Sequence, residues 1–352
     1  MELEKFYSGK RVFVTGHTGF KGSWLCRMLV GLGAQVTGYA LAPEGENLFE
    51  LSGLEREICS VMGDIRDMDT LSKALKAARP EVVLHLAAQP LVQEGFKNPL
   101  ETYEVNVMGT VKLLECLRRM KWAGSFINVT TDKVYQNKEW CWGYRETDTL
   151  DGHDPYSNSK SCSELVTHCF RDTYFSDGGP AVSTMRAGNV IGGGDFAENR
   201  LIPDCVRAVQ AKQPVLLRNP RSTRPYQHVL EPLYAYLLVA AEQAQQPAKA
   251  GCYNIGPGDE GCVNNQTLAE LFCKDWGQDA RWEALSRQDA FPEANFLRLD
   301  CSLLRSAFGW KPRWDIKKAV EKTVEWTREY FAAGDIPAMM DRQIQEFMEE
   351  GA

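Results

Sequence analysis

Residues 11–30, Arg-Val-Phe-Val-Thr-Gly-His-Thr-Gly-Phe-Lys-Gly-Ser-Trp-Leu-Cys-Arg-Met-Leu-Val, constrain the fold more than any other stretch of this chain. Val12, Phe13 and Val14 form an uncharged, partly β-branched run of the kind found in strands covered on both faces. Gly16, Gly19 and Gly22 follow at three-residue spacing, and Trp24, Leu25, Met28 and Leu29 then recur at the intervals of a helical apolar stripe. A strand that turns through glycines into a helix brings backbone N–H groups up to a pyrophosphate, whose charge the helix N-terminus favours. Glycines alone serve a structural turn about as often as a cofactor, but the strand before them and the helix after them make this a dinucleotide site. Two residues separate the first two glycines, where the usual fingerprint has one.

The alternation continues downstream. Strands are expected at 35–41, 57–61, 82–88, 125–130 and 181–186, with helices at 69–78 and 103–120 between them. Such alternation, at intervals of roughly 25 to 30 residues, predicts a doubly wound parallel sheet covered by helices, with ligands bound beyond the carboxyl ends of the strands. After the glycine-dense 188–195 the pattern shortens to a helix at 201–209, a strand at 215–218, a helix at 234–241, a strand at 252–255 and a helical tail from 317, with Val320, Val324 and Trp326 on its buried side. The expected division is therefore a cofactor-binding domain over 1–188, with 229–256 returning to it, and a smaller mixed α/β substrate domain over 189–352.

Composition excludes several functions. The 40 basic and 47 acidic side chains give a net charge of −7, without the basic block that grips nucleic acid. Eleven cysteines are scattered with no C-x-x-C pair, so no metal site is expected and the thiols read as small apolar residues in a reducing compartment. The absence of an 18-residue apolar run argues against a membrane partner, and the acidic start lacks a leader pattern, so a cytoplasmic location is expected.

Chemistry gathers at two points. Thr130, Thr131, Asp132 and Lys133 end a strand where the crevice should open. Tyr156 and Lys160 stand four apart on a helix started by Asp154 and Pro155, so the phenol and the ammonium can converge and the cation can lower the phenol's pKa toward use as a base. Arg200, Arg218, Arg221 and Arg224 are a local guanidinium excess that suits a diphosphate or is simply solvated surface. Asp64 can accept from an adenine amine or close its own turn. The acid expected on the cofactor ribose at the end of the second strand is missing; the residues there are Tyr39, Ala40 and Leu41, with Glu44 and Glu46 beyond.

Together, Thr15-Gly-His-Thr-Gly-Phe-Lys-Gly22, Gly63-Asp64, Leu86-Ala-Ala88, Asn106, Thr130-Thr-Asp132 and Tyr156 to Lys160 resemble the extended short-chain dehydrogenase/reductase family over nearly the whole chain. Within it, the nucleotide-sugar epimerases and dehydratases are the most similar. Lys133 departs from the Glu that many sugar-nucleotide 4,6-dehydratases carry at this position, and so narrows the resemblance to one branch.

The resemblance implies a Rossmann-like fold, bound NAD with NADP not excluded, a small-molecule nucleotide-sugar substrate, and a homodimer or dimer of dimers. For the cofactor it implies contacts from Gly16, His17, Thr18, Gly19, Phe20, Lys21, Gly22, Asp64, Ile65, Leu86, Ala87, Ala88, Gln89, Asn106, Thr130, Tyr156, Lys160 and Arg186. Gln89, Asn189, Arg200, Leu201, Arg218, Arg224 and His228 would hold the substrate, although His17 packs a loop as readily as it faces phosphate. Catalysis would rest on Thr131, Asp132, Lys133, Tyr156 and Lys160. In a dehydratase Tyr156 is the base at the sugar 4-hydroxyl, Thr131 orients the 4-oxygen, and Asp132 is the acid at the departing 6-hydroxyl. Lys133 is either the C5 base or a partner of Asp132. A 4-epimerase would need the same Tyr and Lys but no Asp acid, and a silent nucleotide-binding relative would need none of them.

Overall fold

The computed structural model describes residues 3–258, 261–277, 280–285 and 296–350. Strands β1 (Arg11–Thr15), β2 (Gln35–Ala40), β3 (Cys59–Met62), β4 (Val82–His85), β5 (Ser125–Thr131), β6 (Ala181–Ala187) and β7 (Cys252–Ile255) form one sheet in the order β7-β6-β5-β4-β1-β2-β3. All its pairings are parallel, and the order reverses between β1 and β4. The crevice of a doubly wound sheet lies at such a switch point.

Side chains alternate across the sheet, so each strand feeds two cores. Val12, Val14, Leu84 and Ile127 join Trp24, Leu25 and Leu29 of helix α1 (Phe20–Gly31) on one face. Phe13, Val83 and Phe126 meet Leu71 and Leu75 of α2 (Met68–Ala78) and Leu113, Leu114 and Leu117 of α3 (Gly109–Met120) on the other. Helix α4 (Pro155–Phe170) starts on the Asp154 carboxylate, which accepts from the Ser157 N–H. A separate core holds Ile202 and Cys205 of α5 (Leu201–Gln210), Leu268 and Phe272 of α7 (Asn265–Trp276), and Val320 of α8 (Ile316–Phe331). Helix α6 (Leu230–Gln245) returns to the main sheet beside β5 and β6, and α9 (Ile336–Glu349) packs on α1, where Arg27 pairs with Asp341. The last helix thus lies on the glycine-loop helix, a placement that the division at 188/189 does not anticipate.

Boundaries differ from the sequence expectation where side chains bond the backbone. The helix expected over 103–120 is present and starts earlier, at Pro99, and it carries a π-turn at Glu104–Met108 before α3 begins. Asn106 lies in that turn and turns inward, its side chain accepting from the Gln89 N–H at 2.8 Å and donating to the Gln89 carbonyl at 3.1 Å. The fourth strand stops at His85, which frees 86–89 to form the crevice wall.

Candidate active site

A single open crevice of about 1460 Å³ runs over the carboxyl ends of β1, β2, β4, β5 and β6 and continues between the main sheet and the second core. Pockets for drug-sized ligands measure about 300–1,000 Å³. The space therefore suits two ligands side by side.

One end is built from the glycine turn. Gly16 has φ +76°, and a Cβ there would stand 2.8 Å from the Ala87 nitrogen; a Cβ on Gly22 would stand 2.1 Å from the Gly16 oxygen. These two glycines are required by packing. Gly19 differs, because its Cβ would meet nothing nearer than 3.5 Å, and it caps α1 with neither a side-chain hydrogen bond nor an acidic residue in the first turn. The free N–H groups of that turn and Lys21 line the crevice, a fit for a pyrophosphate. Gly16, Thr18, Gly19, Phe20, Lys21, Gly22, Asp64, Ile65, Leu86, Ala87, Ala88, Gln89 and Thr130 all line this part.

Three residues expected at the cofactor do not reach it. The His17 ring is fully buried, bonds Ser60 Oγ at 2.7 Å and packs edge-on against Phe49. Burial lowers its pKa to about 4, so it is a neutral packing residue and not a phosphate ligand. Asn106 acts behind the wall by holding residue 89. Arg186 is buried against Glu164 and the Tyr135 hydroxyl, at 2.9 and 2.8 Å. Asp64 does line the crevice, but its carboxylate is gripped by Arg66 at 2.6 Å, and that hydrogen bond holds it below the usual carboxylate range. Where the ribose acid is missing, the Tyr39 hydroxyl donates to the Asp64 carbonyl at 2.8 Å, and Glu44 and Glu46 stand at the rim.

The middle of the crevice brings Thr131, Asp132, Lys133, Tyr156 and Lys160 together. Asp132 is wholly buried; its Oδ1 accepts from the Thr131 hydroxyl at 2.9 Å, while its Oδ2 has no hydrogen-bond partner. A buried carboxylate oxygen left unpaired costs about 1–3 kcal/mol, so the site is shaped for a donor that arrives with a ligand. Lys160 Nζ is held by the Val129 carbonyl at 3.2 Å, and burial lowers its pKa to about 8. Burial also raises Tyr156 to about 12, with a Thr131 hydrogen bond and the Arg200 charge opposing. Lys160 is not among the main causes acting on the phenol: Thr131 and Arg200 favour the phenolate, and burial together with the Asp132 and Asp154 charges outweighs them. Lys21 stands among the same charges, its pKa brought down to about 8 by burial and then by Arg200, with Asp132 opposing.

Asn189, Arg200, Leu201, Arg218 and Arg224 line the far end, Arg200 on a 2.9 Å pair with Asp195 and Arg224 buried. His228 does not line it; the ring is enclosed between Trp24 and Trp314, and burial lowers its pKa to about 3. Sequence reasoning missed Asn219, Tyr226 and Asn265, which also line this end; the Tyr226 hydroxyl donates to Asn265 Oδ1 at 2.7 Å, and the Asn265 side chain donates to the Asn219 carbonyl at 2.8 Å. Their only local signal is the Asn264 cap that starts α7.

A Rossmann-type sheet with a Thr-Asp strand end facing Tyr-x-x-x-Lys defines a nucleotide-sugar-modifying class, and this chain belongs to the GDP-mannose 4,6 dehydratase family, whose profile matches residues 13–323. It is 45% identical to the CDP-glucose 4,6-dehydratase of Salmonella typhimurium, over 98% of both chains. Among solved structures it is similar to a UDP-glucose-4-epimerase of Stenotrophomonas maltophila (TM-score 0.81, 22% identity, 92% of this chain and 100% of that one). It is also similar to a dTDP-glucose 4,6-dehydratase of Streptomyces venezuelae (TM-score 0.78, 24% identity, 92% and 99%). These two likenesses concern the fold. Among the described residues, no helix is long and apolar enough to cross a membrane.

Proposed function

We propose that the protein is an NAD-dependent hydro-lyase that converts CDP-D-glucose to CDP-4-keto-6-deoxy-D-glucose, a step toward deoxysugars of the O-antigen type. The 45% identity to a CDP-glucose 4,6-dehydratase supports the substrate. The observation that carries the reaction is Asp132 Oδ2, a buried acceptor without a partner beside Thr131 and Tyr156. A 4-epimerase has no use for such a group.

In this reading the first-turn N–H groups of α1, Lys21, Asp64, Ile65 and residues 86–89 hold the cofactor. Bound NAD would supply the hydride acceptor for C4 and the hydride donor for C6. Tyr156 takes the proton of the 4-hydroxyl, with Thr131 orienting the 4-oxygen, the Arg200 charge favouring the phenolate and Lys160 lining the same part of the crevice. The 4-ketone acidifies C5; Lys133 removes that proton, a proton from Asp132 lets the 6-hydroxyl leave as water, and Lys133 gives the proton back to C5 as C6 receives the hydride. Asn189, Arg200, Leu201, Arg218 and Arg224 bind the nucleotide diphosphate. Residues 1–188 with 229–256 form the cofactor half, on which α9 packs, and the rest of 189–352 the substrate half. The eleven unbridged cysteines support a cytoplasmic enzyme, and the helices from 103 and 157 are the faces offered for pairing two copies.

Incubation with CDP-, dTDP-, GDP- and UDP-hexoses tests this, read by the ultraviolet absorbance of a 4-keto sugar in base. CDP-glucose is expected to give the strongest signal. A 4-epimer product without loss of water would replace dehydration with epimerisation.

A further inference from the structure

Outside the crevice, where β7 passes His168, two turns beyond Lys160 on α4, a thiol sits in a cluster of charges. Cys252 Sγ lies 3.0 Å from His168 Nε2, and the same nitrogen is 3.3 Å from Glu164 Oε2. Glu164 is ionised: Arg186 Nη2 donates to Oε2 at 2.9 Å and Thr184 Oγ1 at 2.6 Å, and Thr130 Oγ1 donates to Oε1. A nitrogen facing that carboxylate keeps its proton, and the proton also faces the sulfur. The Arg186 charge also acts on the sulfur from β6. The sulfur faces the His168 N–H and lies in the field of the Arg186 guanidinium, an arrangement that favours S⁻ over S–H.

The shifts agree with this geometry. Burial pushes the Cys252 thiol up, but the His168 hydrogen bond and the His168 and Arg186 charges outweigh burial and the Glu164 charge, and leave the thiol below its usual value. The Cys252 and Glu164 hydrogen bonds raise His168 to about 9. Burial moves Cys26, Cys116, Cys162, Cys205, Cys273 and Cys301 the other way. Glu164, His168 and Cys252 also lie close enough together to hold a metal ion. With the shared carboxylate oxygen committed to Arg186 and Thr184, and the Arg186 charge acting on the sulfur, the surroundings favour an anion over a cation.

We propose that Cys252 is a reactive thiolate, a modification site for hydroperoxides and soft electrophiles that is separate from the dehydration chemistry. With hydrogen peroxide the thiolate attacks one oxygen, an S–O bond forms and the O–O bond breaks, and sulfur is oxidised by two electrons to sulfenic acid. The departing hydroxide takes the His168 proton and leaves as water. Cys252 is only partly exposed, so solvent access alone would favour Cys59, Cys141 and Cys169, which are exposed. Those three are internal controls.

The test is limiting iodoacetamide on the folded full-length chain below the ordinary thiol pKa of about 8.5, with the label assigned cysteine by cysteine by mass spectrometry. Cys252 is expected to be alkylated at least about tenfold faster than the three exposed cysteines, and His168→Gln to bring it down to their rate. Dimedone should label Cys252 first after hydrogen peroxide. Alkylation of Cys59, Cys141 or Cys169 ahead of Cys252 overturns the proposal, as does a His168→Gln chain in which Cys252 reacts as before. If that variant does not fold, the pH–rate profile of Cys252 in the unaltered chain decides: an inflection below the ordinary thiol value supports the thiolate, and one at or above it overturns it.

Discussion

Helix α4 carries two buried polar clusters one turn apart, and they are finished differently. At its start Tyr156 and Lys160 face the crevice together with Asp132, whose Oδ2 is unpaired. One turn later Glu164 has both carboxylate oxygens filled, by Thr130 on one and by Thr184, Arg186 and His168 on the other. Both clusters lie on one helix and both are out of water, so burial does not distinguish a reacting group from a structural one. The open valence does. A polar atom kept buried without a partner costs stability until a ligand supplies one, whereas a saturated carboxylate has nothing left to offer a substrate.

The contrast predicts that substitutions in the first cluster change turnover without changing stability, and that those in the second do the reverse. The largest effect is expected for Tyr156→Phe, which removes the proton acceptor and keeps the ring: turnover of CDP-glucose should fall by about 10²–10⁴-fold with the unfolding midpoint nearly unmoved. A loss of less than tenfold would take the phenol out of the reaction. Asp132→Asn should be next. It keeps the shape of the side chain but cannot protonate the 6-hydroxyl, so the variant should oxidise C4 and stall, visible as reduced cofactor that persists at about 340 nm. Rapid return to oxidised cofactor with the 6-hydroxyl retained would mark an epimerase. Lys133→Ala should still bind cofactor but lose exchange of the C5 proton with solvent deuterium, and undiminished exchange would reduce Lys133 to a partner of Asp132.

On the other side of the comparison, Glu164→Gln leaves the Arg186 guanidinium buried at 1% exposure without its counter-charge. Breaking one member of a buried pair costs about 3–5 kcal/mol, which should appear as a lower denaturant midpoint, with substrate affinity nearly kept in the fraction that stays folded. Unchanged stability with lost turnover would place Glu164 in the wrong cluster.

The same distinction explains which features were legible in the sequence. Strands such as Val82–His85 and Ala181–Ala187 are written in local hydrophobic runs, and the Thr-Asp end of β5 opposite Tyr156 follows from the topology those runs imply. Arg186, His17 and His228 are motif neighbours of the site that point the other way. A motif fixes the order of residues along the chain, but the side of the strand or turn on which a side chain falls depends on partners such as Glu164, Ser60 and Trp314, far away in sequence. The π-turn at Glu104–Met108 was hidden for a similar reason, since Asn106 bonds residue 89 across the fold while the local apolar period runs on unbroken.

The smallest effect concerns pH. In the folded chain burial raises Glu164, but Arg186 and the hydrogen bonds of His168, Arg186 and Thr130 outweigh it and bring the pKa to about 2, against an ordinary 4.5. A carboxylate lowered on folding contributes stability that is complete above its unfolded value and is lost as pH falls through its folded value. The stability gap between the unaltered chain and Glu164→Gln should therefore be widest and flat above about pH 5 and narrow steadily below it, because protonation makes the native carboxyl resemble the amide. Denaturant unfolding of both chains across that range measures the gap. A gap that is constant down to about pH 3 would mean that the ion pair with Arg186 is not what Glu164 contributes, and the saturated half of the comparison would then rest on hydrogen bonds that the neutral amide also makes.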